Sequence, residues 1–254
     1  MILLLLLLLA HLLGDFILQS DEMAKDKDRF NKNRLKAVLK HAFIHSLLYG
    51  AIFLFMFYIL HESYVNRILI VFIIALSHFV IDWGKPYLRY IGIKNKALIF
   101  SIDQGIHLAI IFLIINKIIK APILSVLKGM KSANYFETAT FLLIIWILLT
   151  TFSNIFIRCF LEPIKQTKTN NNNVKENDDV AKKGRYIGAL ERILAFLAVY
   201  TNSPTVLIGI FATKTAIRFK QFEEKEFAEY YFIGTSLSAL MAIAIALFCR
   251  WLLT

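Results

Sequence analysis

The chain has 254 residues, of which 58% are hydrophobic and 19% charged, and its mean hydropathy is +0.62. This composition excludes an ordinary soluble domain, because soluble domains average about 45–50% apolar residues. The net charge of +11 comes from Lys and Arg residues that collect between apolar runs. That pattern is typical of the cytoplasmic loops of membrane proteins and disfavours nucleic-acid binding, since no basic–aromatic surface remains outside the apolar runs.

Eight apolar runs follow one another along the chain. They predict an all-α, polytopic helical membrane protein with about seven to eight membrane segments. The predicted segments cover residues 1–19, 37–60, 67–82, 97–119, 138–161, 185–200, 204–219 and 229–253. The first lacks a basic leader and a cleavage site, so we expect an uncleaved membrane helix. The sixth and seventh are short and carry charges, which is also compatible with re-entrant or buried segments.

A long polar stretch, EPIKQTKTNNNNVKENDDVAKKG, interrupts the apolar runs. Its composition predicts a flexible linker, residues 163–184, between an N-terminal five-helix membrane part, residues 1–162, and a C-terminal three-helix membrane part, residues 185–254. Most Lys and Arg residues fall in alternate connections. The positive-inside rule therefore predicts an inner or plasma membrane protein with both termini outside and the linker in the cytoplasm.

Each of the first four segments carries a pair of His or Asp residues, both able to bind a metal, four positions apart. The pairs are His11 and Asp15, His41 and His45, His78 and Asp82, and Asp103 and His107. Residues at i and i+4 lie on the same face of a helix, so each pair can grip one metal ion. Because neighbouring segments alternate in direction, we expect all four pairs in the cytoplasmic half of the membrane, within about 15 Å of one surface.

Five imidazoles and three carboxylates exceed the needs of one tetrahedral zinc ion, so the pairs predict two or more metal ions bridged by Asp. Zinc fits this ligand set best, with manganese and iron as alternatives, and the absence of thiolates disfavours copper(I). A structural alternative is that His–Asp hydrogen bonds only hold the helices together, and a proton relay is another. Gly14, Gly84 and Gly105 lie beside or within the pairs and are expected to allow close helix approach.

Four basic residues are candidates for binding an anion or a lipid headgroup. They are Lys85, Arg192, Lys214 and Arg218. Lys85 follows the His78–Asp82 pair and is either a contact for an anionic substrate or a boundary lysine at the membrane interface. The three C-terminal residues can hold a phosphate group, or they can form structural ion pairs with Glu191 and Glu229.

The stretches HLLGDFILQSDEMAK, SHFVIDWGK and DQGIH resemble a bacterial multi-pass membrane family known as domain of unknown function 3307. The C-terminal stretches GRYIGALERI, ATKTAIRF and AEYYFIGTSLS look like the same family's closing pattern. This resemblance implies the architecture and no particular reaction. The HxxxD pairs, His11/Asp15 and His78/Asp82, are more loosely similar to membrane-bound metal-dependent hydrolases and to the soluble zinc-dependent phospholipase C group. That likeness implies cleavage of a phosphodiester by clustered zinc ions.

Together these features predict a membrane-embedded metal-dependent hydrolase that acts on a phosphate ester or lipid at the cytoplasmic face. The expected partners are the lipid bilayer and a phospholipid or phosphate-ester substrate, and no nucleic acid. The first alternative is a divalent metal-ion transporter, which would need further ligands along an outward path. The outer halves of the segments carry few ionisable groups, which favours a closed site. The second alternative is a non-catalytic membrane partner or scaffold.

Overall fold

The computed structural model describes residues 1–59, 61, 67–119, 123–166 and 178–253, which form helices and connections with no strand among them. The α-helices are α1 (Ile2–Phe16), α2 (Asp21–Lys27), α3 (Arg34–Tyr58), α4 (Arg67–Tyr90), α5 (Lys96–Ile119), α6 (Ile123–Lys128), α7 (Tyr135–Ile147), α8 (Ser153–Gln166), α9 (Asp178–Tyr200), α10 (Pro204–Arg218) and α11 (Lys225–Leu253). The predicted all-α class is thereby confirmed.

Five helical stretches in the described part of the chain are long and apolar enough to cross a membrane. They are Arg34–Tyr58, Ile68–Tyr90, Lys96–Lys117, Tyr135–Glu162 and Lys225–Leu253. The pair α1 and α2 also passes this test, but the two helices are bent by 89° to each other. The count of five, or six with the bent pair, is smaller than the seven to eight segments predicted, because α9 and α10 do not qualify. At about 1.5 Å per residue, the 15 residues of α1 alone fall short of a hydrocarbon core of about 30 Å.

The chain forms two compact units, Met1–Ile144 and Ile145–Thr254, which we call unit 1 and unit 2. In unit 1, α1 packs against α3 and α5, and α4 packs against the same two helices. The leucine run of α1 lies in the core, where Leu4 and Leu7 are fully buried together with Met56 of α3 and Ile115 of α5. A helix that is apolar all round is expected in such an interior position. The leucines of α1 thus anchor the helix, and its C-terminal end, which carries His11 and Asp15, is held inside the unit.

The short helix α2 replaces part of the polar connection that follows the first predicted segment. Ser20 caps it, since its Oγ accepts a hydrogen bond from the backbone N–H of Met23 at 3.2 Å. Asp21 lies in the first turn, where a negative charge stabilises a helix. The helix packs against α3 and α4 and buries Met23 and Lys27. A lysine from a polar connection therefore reaches the interior of unit 1.

In unit 2, α9 packs against α10 and α11, and α11 packs against α8. A π-helical turn, Leu148–Phe152, leads into α8. The described helices extend into the predicted linker, because α8 ends at Gln166 and α9 begins at Asp178. The rest of that prediction, residues 167–177, lies outside the described residues. The division into compact units falls within the fifth predicted segment, upstream of the linker.

Candidate metal centre

All eight predicted metal-ligating residues lie in the interior of unit 1, where each is at most 9% exposed. Helices α1, α3, α4 and α5 each contribute two of them. Their nitrogen and oxygen atoms form three groups in which the potential ligand atoms all lie within 4.8 Å of one another. The groups are His11, Asp15, His45 and His78; His41, His78 and Asp82; and Asp82, Asp103 and His107. Because His78 and Asp82 are each shared by two groups, the groups form one continuous cluster.

One carboxylate oxygen stands at the centre of this cluster. Asp15 Oδ1 lies 3.1 Å from His41 Nε2, 3.0 Å from His45 Nε2 and 3.4 Å from His78 Nε2. The ring of His78 stacks on that of His45, with centroids 3.7 Å apart, and on that of His107 at 4.0 Å. Ligand atoms of a tetrahedral zinc site lie about 3.3 Å apart when each is bound at about 2.0–2.1 Å. The observed separations are therefore close to those of a zinc ligand set.

Hydrogen bonds between neutral groups do not account for all of these contacts. His41 Nε2 and His78 Nε2 lie 3.0 Å apart, so at most one of them carries a proton between them. The nitrogen without a proton then points its lone pair at the lone pairs of Asp15 Oδ1, because both nitrogens also lie within 3.4 Å of that oxygen. A cation bound by either of the two ligand groups that contain His78 would remove the conflict, since the lone pair of that imidazole would then face positive charge.

The third group contains two buried atoms that lack a hydrogen-bond partner within the described part of the chain. They are Asp103 Oδ1 and His107 Nε2. The two atoms face each other at 3.7 Å. Buried polar atoms without partners are uncommon, and an ion is one recognised way to satisfy them. This pair therefore fits a metal ligand set better than a hydrogen-bonded one.

Gln104 joins the two ends of the cluster, and the sequence pattern did not single it out. Its side-chain amide donates to Asp15 Oδ2 at 2.8 Å and to Asp103 Oδ2 at 3.3 Å. Its carbonyl oxygen lies 3.2 Å from His11 Nε2. Hydrogen bonds of this kind fix the orientation of ligand side chains. The only sequence signal was its position inside DQGIH, directly after Asp103.

Two lysines pair with carboxylates of the cluster. Lys85 Nζ, the predicted anion contact, lies 3.1 Å from Asp103 Oδ2 and is 19% exposed. Lys27 Nζ lies 2.8 Å from Asp82 Oδ2, and its side chain is only 6% exposed. Sequence reasoning missed Lys27, because it is one of six basic residues in a polar connection and nothing in the pattern separates it from the others.

Arg34, at the start of α3, closes the same end of the unit. Its guanidinium lies over the rings of Trp83, at 4.2 Å, and Phe30, at 4.8 Å, and it donates to the carbonyl oxygen of Trp83. Only 4% of the residue is exposed. Aromatic faces stabilise a guanidinium without neutralising its charge. Arg34 was not predicted as a site residue either.

Gly14 allows the imidazole of His45 to approach α1. A Cβ atom at this position would lie 2.4 Å from His45 Cε1 and Nε2. At Gly84 and Gly105 a Cβ atom would meet no atom of the other described residues within 4 Å. Close approach of neighbouring groups thus explains Gly14 and does not explain the other two glycines.

The predicted basic residues of unit 2 already have partners. Arg192 is 2% exposed and donates from Nε to Leu149 O at 2.5 Å and from Nη2 to Asn154 Oδ1 at 2.6 Å. Lys214 Nζ lies 2.5 Å from Glu191 Oε2, which is one of the two structural ion pairs considered from the sequence. The guanidinium of the fourth candidate, Arg218, lies 6.0 Å from the ring of Tyr231. Binding of an anion by these three residues stays a prediction.

These features define a class: an all-helical protein whose apolar helices are long enough to span a membrane, with a buried His/Asp cluster in its first unit. The chain belongs to the family described as Protein of unknown function (DUF3307), whose sequence model matches residues 3–137. The match includes every residue of the cluster and ends before the C-terminal stretches that resemble the family. No curated protein matches the chain, and no solved structure matches it either.

Proposed function

We propose that unit 1 is a membrane-embedded, multinuclear metal-dependent hydrolase that acts on a phosphate ester or a lipid phosphate at the cytoplasmic face. The observation that supports this most strongly is the continuous cluster of three ligand groups, all buried and all within metal-binding distance. A set of imidazoles and carboxylates without thiolates suits zinc first, and manganese or iron next.

The cluster offers adjoining positions for metal ions. Asp15 with His11, His45 and His78 would hold one ion, and Asp82 with Asp103 and His107 would hold a second. His41 lies between them, 3.1 Å from Asp15 Oδ1 and 3.5 Å from Asp82 Oδ2. Divalent ions in such a site act as Lewis acids that polarise a phosphate oxygen.

The residues of this chain would orient the ligands and the substrate. Gln104 holds Asp15 and Asp103 in place through its amide group. Lys85 lies at the edge of the cluster and is partly exposed, which supports a role as a contact for a phosphate group.

The sidedness of the site is part of the proposal. We place the end of unit 1 that carries α2, Lys85 and the start of α3 in the cytoplasm, because Lys and Arg residues collect in these connections. Both termini would then lie outside and the linker inside. Seven to eight segments would require α1, α9 and α10 to enter the bilayer as short or re-entrant helices.

Metal transport is less well supported by the described residues. A groove of 390 Å³ opens between α3 and α4, along the parts of these helices that follow His45 and precede His78 and that lead away from the lysines. It is lined by side chains between Ser46 and Leu54 and between Ile68 and Ala75, and Ser46 is the only polar residue among them. An ion path would need polar or charged ligands there. The geometry therefore favours a closed site over a transport route.

Elemental analysis of the detergent-purified chain tests the proposal. We expect two or more zinc, manganese or iron ions per chain, and loss of this metal in a His78→Ala/Asp82→Ala variant. His61→Ala is the matched control, because His61 is exposed and lies outside the cluster. The loaded protein should then hydrolyse a chromogenic phosphodiester, and the double variant should not.

A well-folded protein that was purified without chelator and contains no metal would contradict both the hydrolase and the transporter. The non-catalytic scaffold would then be the remaining hypothesis. In that case His78→Ala should change thermal stability alone. Bound metal without phosphoesterase activity would contradict the reaction while retaining the metal centre.

A further inference from the structure

We infer that the metal centre binds an oxyanion of the phosphate type together with its metal, between the ammonium groups of Lys27 and Lys85. The inference rests on the proposed metal centre and names the residues and the chemical class that complete it. Lys27 is the new element, because it comes from the connecting helix α2 and pairs with a carboxylate 55 positions away.

The charge of the buried cluster is the first step. Three carboxylates, Asp15, Asp82 and Asp103, face the two ammonium groups, which leaves a net charge of −1 when the imidazoles are neutral. One divalent metal ion changes this to +1, and two change it to +3. Uncompensated charge inside a membrane protein is costly and is normally neutralised by a partner. A cluster loaded with two divalent ions therefore favours the binding of an additional anion.

The position of the two lysines is the second step. Lys27 Nζ contacts Asp82 Oδ2 at 2.8 Å, and Lys85 Nζ contacts Asp103 Oδ2 at 3.1 Å. Asp82 and Asp103 belong to one ligand group, together with His107. Both ammonium groups thus approach the same prospective metal position, one from α2 and one from α4. Lys85 Nζ also lies 4.0 Å from Asp28 Oδ1, and Asp28 follows Lys27 directly, so the lysines share one end of the cluster.

Competition between cations is the third step. A metal ion bound by Asp82 and Asp103 shares the carboxylates that now neutralise the lysines, and its positive charge repels both ammonium groups. The ammonium group of Lys27 would then share its carboxylate with a dication, and that of Lys85 would keep Asp28 at 4.0 Å as its second counter-charge. An anion with several oxygens can bind the metal and both ammonium groups at once, and a phosphate group has this shape and charge. Metal and phosphate should therefore strengthen each other's binding.

The coupling is measurable with the full-length protein in detergent. Equilibrium dialysis against buffered zinc, followed by elemental analysis, gives the metal Kd with and without glycerol 3-phosphate, a soluble phosphate monoester. We expect the ester to lower the metal Kd by at least about threefold. Coupled binding sites usually show about 5–150-fold effects. By reciprocity, zinc should tighten binding of the ester by the same factor.

Three variants assign the coupling to Lys27. Lys27→Met should bind zinc more tightly than the wild type when no anion is present, because a competing cation has been removed from Asp82. It should also lose most of the coupling. Lys27→Arg should retain it, and Lys25→Met is the matched control because Lys25 is an exposed lysine of the same helix. Thermal unfolding of each variant shows whether it is folded.

The source of the phosphate group is resolved by a second probe. Nanodiscs of phosphatidylcholine with and without phosphatidic acid present the same monoester on a lipid. A zinc Kd that falls only with phosphatidic acid identifies a lipid headgroup. A fall with glycerol 3-phosphate as well identifies a site that accepts soluble phosphate esters.

The outcomes separate this inference from the proposed function. If zinc binds but neither probe changes its Kd by about threefold, the inference is overturned and the metal centre is left intact. Coupling that survives in folded Lys27→Met would overturn the assignment to Lys27. A chain that binds no metal would overturn both proposals.

Discussion

Units 1 and 2 both bury strongly polar side chains, but they satisfy them in different ways. In unit 1 most of the buried groups are imidazoles and carboxylates that converge on each other, and Asp15 Oδ1 has three imidazole nitrogens within 3.4 Å. In unit 2 the buried group is the guanidinium of Arg192, which donates to backbone carbonyls and to uncharged side chains. Burial of polar groups is thus common to both units, and among the described residues only those of unit 1 combine it with a donor set suited to a metal.

The backbone explains how unit 2 accommodates a charge. The π-helical turn Leu148–Phe152 departs from the i→i−4 hydrogen-bond pattern, and two of its carbonyl oxygens, those of Leu149 and Thr150, accept hydrogen bonds from Arg192. Ser238 and Asn154 accept two further bonds. All of these partners are uncharged acceptors that the folded chain provides. The arrangement supports the structural one of the two roles considered for Arg192 from the sequence.

The largest effect is expected from Gly14→Ala in unit 1. The added methyl group would meet the ring of His45 at 2.4 Å, so either the ring or α1 must move. We expect a loss of about 3 kcal/mol of stability in chemical unfolding, at the upper end for overpacking, together with loss of bound metal. Gly105→Ala is the control, since its methyl group meets no neighbouring side chain within 4 Å in the described part of the chain. Normal metal content in Gly14→Ala would show that His45 is not a ligand.

A smaller effect, about 2 kcal/mol, is expected from Arg192→Met in unit 2, because buried acceptors lose their donor. Metal content should be unchanged, since all prospective ligands lie in unit 1. Lys220→Met, which changes an exposed residue of the same unit, should leave stability unchanged. Loss of metal in a folded Arg192→Met protein would show that unit 2 contributes to metal binding, contrary to this prediction.

The smallest effect is expected from Gln104→Leu. The substitution removes the amide that holds Asp15 and Asp103 while retaining similar bulk. We expect the metal Kd to rise by about tenfold, as is usual when a supporting hydrogen bond to a ligand is lost. This corresponds to about 1.4 kcal/mol in binding. Gln221→Leu, at an exposed position of unit 2, should leave the Kd unchanged. An unaltered Kd in Gln104→Leu would mean that the ligands are positioned without this bridge.

The sequence by itself determined the helical class, the apolar helices and the four spaced pairs of His and Asp residues. These features are local, because hydropathy follows composition and a four-residue spacing fixes which side chains share a helix face. Helix count was harder to predict, since a short apolar run such as that of α1 looks the same whether it faces lipid or lies in a protein core.

Only the tertiary structure decided which residues surround the pairs. Gln104 and Lys27 reach the cluster because α1, α2, α4 and α5 meet there, and Gly14 matters because α3 brings His45 against it. Contacts between residues 26 to 93 positions apart depend on how helices pack, and no local pattern encodes that packing. The same holds for Arg192, whose environment arises from a π-helical turn 43 residues away. The sequence could therefore predict the His and Asp residues of the buried cluster, while the groups that position and neutralise them became visible only in the fold.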